Sequence, residues 1–65
     1  MSQILDSIIK GLDLAKAKGC PVDSIWINET TDGELTRWNG DQAIYDFRGH
    51  HLSVVRMDEL YQIKL

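Results

Sequence analysis

Cys20, His50 and His51 are the residues in this 65-residue chain that first invite a nucleophilic, acid–base or metal reading; its ten carboxylates include no pair isolated in an apolar setting for acid–base work. Adjacent histidines on a strand point to opposite faces and cannot share one metal ion. No further ligand stands at a useful spacing, so the pair beside Arg48 reads as two solvated turn histidines. A Cys20 nucleophile with a histidine base is the obvious alternative chemistry. Cys20 lies just past the C-terminus of an expected helix, at the negative end of its dipole, whereas reactive thiolates favour helix N-termini. It reads instead as a small, partly buried residue in a helix-to-strand connection. Asn28-Glu29-Thr30 matches a glycosylation acceptor but carries no weight without a secretory signal. Asp46 is the one carboxylate between large apolar neighbours, Tyr45 and Phe47, and strand alternation turns it away from them. No residue set assembles a catalytic centre, a metal site or a cofactor site, so the expectation is not an enzyme.

Composition sets the same limits. The chain is 43% hydrophobic and 26% charged, with a net charge of −3. A domain this size buries only about 60% of the surface its unfolded chain exposes, so its core is marginal without a staple. One cysteine closes no intramolecular disulfide. Apolar runs are too short for a membrane span and no signal-peptide core opens the chain, so a cytoplasmic, reducing location is expected. Residues 1–19 carry a surplus of +1 and residues 20–65 a balance of −4, which disfavours nucleic acid as a partner.

The elements that position these residues begin with an amphipathic helix over about 3–18. Ile4, Leu5, Ile8, Ile9, Leu12 and Ala15 fall within roughly 140° of a helical wheel. Ser2 is its expected N-cap, and Gly19 before Pro21 its stop. Gly11 is discordant inside it: either a tolerated surface glycine or a point of close approach by a strand or second helix. Beyond Pro21, strand formers and turn residues alternate, predicting strands over about 24–30, 34–38, 43–47 and 51–57. Thr31-Asp32-Gly33, Asn39-Gly40 and Gly49-His50 are the expected turns, with Asn39-Gly40 the strongest hairpin signal. Residues 58–65 are ambiguous between a helical turn and an edge strand. The expected fold is α+β: an N-terminal helix packed on an antiparallel meander of three or four strands.

In the register those turns imply, Trp26 faces Trp38, and Phe47 faces Leu52. One sheet face then carries Trp26, Trp38, Ala43, Tyr45, Phe47, Leu52 and Val54. The other carries Ile25, Ile27, Leu35, Ile44 and Val55, interrupted by Glu29, Arg37, Gln42 and Asp46. A single helix covers one face only, so the surplus apolar face predicts a shared core, formed by a two-fold homodimer. The function that follows is a small non-enzymatic interaction protein. It would act as an adaptor, regulatory subunit or inhibitor on an unidentified protein partner, with Trp26, Trp38, Tyr45 and Phe47 as contact surface. The alternative is single-stranded nucleic-acid binding on the same aromatic face, with Arg37, Arg48 and Arg56 as phosphate contacts.

Overall fold

Residues 3–65 are described by the computed structural model; the expected N-cap, Ser2, lies outside them. Helix α1 spans Gln3–Ala17 and buries Leu5, Ile8 and Leu12, the i, i+3, i+7 stripe of an amphipathic helix. Its C-terminus is a Schellman motif. Gly19 takes φ +71, its N–H donates to the Lys16 carbonyl, and the Cys20 N–H donates to that of Ala15, satisfying carbonyls the helix leaves open.

Strand β1, Ser24–Ile27, alternates half-buried and buried residues. It stops earlier than expected because Asn28 caps a second helix, α2, Glu29–Trp38. The Asn28 Oδ1 accepts from the Thr31 N–H at 2.9 Å. Glu29 and Asp32 occupy the first turn and Arg37 the last, each where the helix dipole favours its charge. This corrects two expectations. Residues 34–38 are helix, not strand, and Thr31-Asp32-Gly33 lies within that helix. Asn39-Gly40 is likewise no hairpin turn. Gly40 at φ +71 donates to the Arg37 carbonyl and Asp41 to that of Thr36, a second Schellman motif. Both structures need glycine at positive φ, so the dipeptide alone does not distinguish them.

Strand β2 is only Asp46–Phe47, β3 runs His50–Val54 and β4 Tyr61–Lys64. The turn between β2 and β3 is Arg48-Gly49, with φ 52 and 81, the positive pair of a type I′ turn. Phe47 therefore pairs with His50, and Asp46 with His51. The histidines open a strand and are not its turn. Relative to the expected register this pairing has slipped by two residues, which keeps every side chain on its face.

The protein is α+β, with two helices and a four-stranded sheet of order β2-β3-β1-β4. The sheet is mixed, correcting the antiparallel meander: β1 runs parallel to β3 and antiparallel to β4. A parallel pair requires a long crossover, and the segment holding α2 supplies it. The ambiguous C-terminal residues form β4, an edge strand beside β1. Paired residues share a face, so Ile25, Leu52 and Ile63 stand on one side, with Ile27, Val54 and Tyr61. Ile25, Ile27 and Leu52 join Leu5, Ile8 and Leu12 of α1, Leu35 of α2 and Phe47 in a single buried cluster. Thr31, fully buried, donates its hydroxyl to the Leu60 carbonyl at 2.6 Å, tying α2 to the start of β4.

The other face carries Ser24, Trp26, His51, Ser53, Gln62 and Lys64. It is polar around one tryptophan, so the expectation of two apolar sheet faces is overturned: the pairing of β1 with β3 puts Ile25 and Ile27 on the same face as Leu52 and Val54, and Leu35 and Trp38 belong to α2. The exposed large apolar side chains are instead Leu14 of α1, Trp38 of α2, Tyr45 before β2, Val54 at the end of β3, and Leu60 and Leu65 on either side of β4. Among the described residues no helix is long and apolar enough to cross a membrane.

Candidate interaction site

The aromatic residues expected to share one face are divided between two. Trp38 ends α2, held there by the C-cap that follows it. Its ring meets Phe47 edge-on, with centroids 6.4 Å apart and planes at 71°, the T-shaped geometry aromatic quadrupoles favour. Phe47 is buried, while Trp38 remains 50% exposed. The ladder continues one rung beyond β2, because the Leu52 N–H donates to the Tyr45 carbonyl at 2.8 Å. Tyr45 thus stands on the same side as Phe47 and is 70% exposed. Two large, amphipathic rings are presented on the β2 rim of the sheet, one anchored on a buried phenylalanine.

Trp26 is not part of this rim. It sits on the opposite face of the sheet, in the central strand β1, and the Lys64 ammonium lies 4.3 Å from its ring centroid. That is a cation–π contact, and it occupies the ring face a stacked base or side chain would use. The arginines are dispersed as well. Arg37 is in the last turn of α2 and Arg48 in the β2–β3 turn, whereas Arg56 follows β3 at its far end. Arg48 is engaged by Asp13 at 3.4 Å. None of the three stands on the strands that carry Trp26.

A surface recess of about 460 Å³ brings together two residues the sequence reading held apart. Cys20 and His50 line it with Leu12, Asp13, Lys16, Pro21, Val22 and Arg48. Strand alternation puts His50 on this side of the sheet and His51 on the other, as their adjacency requires. The Cys20 Sγ lies 4.0 Å from the Lys18 carbonyl oxygen, at the end of α1. Among the described residues no group of three or more His, Cys, Asp or Glu could hold a metal ion. What the recess offers is a mixed-charge pocket.

The feature sequence reasoning missed is the rim's position. The signal was present in the spacing of Thr31, Leu35 and Trp38, an i, i+4, i+7 helical stripe obscured by threonines and a glycine. Comparison with known proteins finds no family model, no curated protein and no solved structure that matches this chain.

Proposed function

We propose that this protein is a small non-enzymatic protein-interaction module, an adaptor, regulatory subunit or inhibitor, whose contact surface is the Trp38–Tyr45 rim. The observation that carries this reading is the exposure of both rings beside the buried Phe47. Tryptophan and tyrosine supply contact area at little entropic cost and dominate interface energetics. Exposed apolar groups gathered at one margin mark an interaction site more often than a solvated surface. Val54, two residues beyond Leu52 on the same face of β3 and also exposed, extends the rim. The first occupant we propose is a second copy of the chain in a two-fold dimer, whose isologous contact would stack the two rims.

Sedimentation of the wild type against Trp38→Ala and Tyr45→Ala, with concentration varied from micromolar to millimolar, tests this. A mass that doubles with concentration, and fails to do so in both variants, is the expected result. A wild type that stays monomeric overturns the dimer. Equal backbone amide shifts at β2 in wild type and variants across that range would overturn the rim as the contact surface.

A further inference from the structure

The opposite margin of the sheet is built differently. Strand β4 has a single neighbour, β1. The Asn28 N–H donates to the Leu60 carbonyl, so Leu60, Gln62 and Lys64 direct their backbone groups toward β1, and alternation turns those of Tyr61 and Ile63 outward. Native edges are commonly guarded by a lysine, a proline or a bulge. Here the lysine, Lys64, is folded over Trp26, and Tyr61–Lys64 contains no proline.

Along this open edge, α1 and β4 border two shallow, open hollows on either side of Gly11. One, of about 220 Å³, is lined by Gly11, Leu14, Ala15, Lys18, Ile63 and Leu65 among others. The second, of about 240 Å³, is lined by Ser7, Lys10, Gly11, Leu14 and Tyr61. Each is apolar at its floor and carries one lysine. The helix presents no carboxylate on this flank. At 3.6 residues per turn, Gln3, Ser7, Lys10, Leu14 and the capping Lys18 fall within about 80° of arc, while Asp6 and Asp13 lie roughly 40° or more beyond. Asp13 is drawn to Arg48 on the recess side. The acidic residues nearest β4 are Asp23, whose N–H donates to the Lys64 carbonyl, and Asp58 and Glu59 before its first residue; all are exposed, and none lines either hollow. In a chain of net charge −3, the charged side chains that line this groove are both lysines, Lys10 and Lys18.

The geometry points to β4 and the flank of α1 as a strand-addition site for an extended, acidic–apolar segment of another polypeptide. A strand paired with β4 presents every second side chain to the helix side, about 6.8 Å apart, so two apolar residues separated by one would enter the two hollows. Its outward N–H and C=O partners are those of Tyr61 and Ile63. A carboxylate beyond the second apolar position meets Lys18. A second copy of this chain is a poorer occupant, because β4 against β4 brings Lys10 and Lys18 of both copies together. This surface is separate from the Trp38–Tyr45 rim, and each proposal can fail without the other.

The test is selection from a random decapeptide library displayed on phage, followed by titration of the isotopically labelled protein with the selected synthetic peptide. The expected consensus has two apolar residues separated by one, with an adjacent Asp or Glu, and amide shifts concentrated in 60–65 and α1. Lys18→Glu should weaken the selected peptide at least tenfold, and replacing its strand-pairing residue by proline should abolish binding. Trp38→Ala should leave binding unchanged. Circular dichroism of each variant establishes that it is folded; if Lys18→Glu is not, Lys10→Glu and a Lys-for-Glu peptide make the same charge comparison. An absence of any enriched sequence, shifts confined to β2 and β3, or equal affinity after charge reversal would overturn the proposal. So would self-association through β4 in place of peptide capture.

Discussion

Gly11 and Ile63 are in contact so close that no Cβ fits between them: a methyl group added at Gly11 would collide with the Ile63 Cδ1. The glycine discordant within α1 is therefore the point where the helix approaches β4, one of the two readings its position allowed. Alanine there gains up to about 1 kcal/mol of helix propensity. It also forces the Ile63 methyl from its well at about 0.5–1.5 kcal/mol. The expected net effect of Gly11→Ala is within about 0.5 kcal/mol of zero. In an Ile63→Val background, which lacks the colliding methyl, the same change should stabilise by about 1 kcal/mol. Urea denaturation of the four-member cycle measures the coupling, and additivity would show that the contact does not matter.

Thr31 offers a cleaner case. Its hydroxyl is fully buried and spans 29 residues to reach the Leu60 carbonyl, so it links α2 to the approach to β4. Thr31→Val keeps the shape and removes the donor. Leu60 retains the Asn28 N–H as a partner, which limits the expected loss to about 1 kcal/mol. Hydrogen exchange should locate the effect in β4 amides and in the first turn of α2; protection unchanged there would refute the link.

Asn28 is placed to decide where β1 ends and α2 begins. Asn28→Ala removes the side-chain acceptor from the Thr31 N–H and should cost about 1 kcal/mol. Asn28→Asp should hold stability or raise it by a few tenths of a kcal/mol at neutral pH, the dipole favouring its charge. Glu29 and Asp32 in the same turn repel that charge, and salt screens attraction and repulsion alike, so the effect of Asn28→Asp should shrink toward zero as salt is added. Thermal melts at low and high ionic strength provide the comparison.

Arg48 holds φ 52, a left-handed conformation that asparagine adopts more readily. Its ion pair with Asp13 joins two exposed side chains and contributes little. Arg48→Asn should stabilise the protein by about 0.5 kcal/mol. A loss of stability in low salt that vanishes in high salt would show instead that the ion pair outweighs the strain.

Local chemistry determined much of this protein. The first helix, its Gly19 stop, the alternation of Ile25 and Ile27, and the outward turn of Asp46 are all legible residue by residue, because caps and periodicities act over one or two turns. Trp26, Trp38, Tyr45 and Phe47 were expected on one contact face; three-dimensional placement brings Trp38, Tyr45 and a buried Phe47 to one margin and sends Trp26 to the opposite face. Local signals misassigned residues 29–38, read as strand around a turn where the chain forms α2, and left 58–65 undecided. Asn39-Gly40 satisfies a hairpin turn or a helix cap equally well, since each asks for a left-handed glycine. The choice was made by distant partners: Leu35 enters a core built from α1, β1 and β3, Thr31 reaches Leu60, and β4 closes on β1 with the polar side of the sheet left open. Those pairings join residues far apart in the chain, and their free energy comes from burial and ladder hydrogen bonds that no short window of sequence contains.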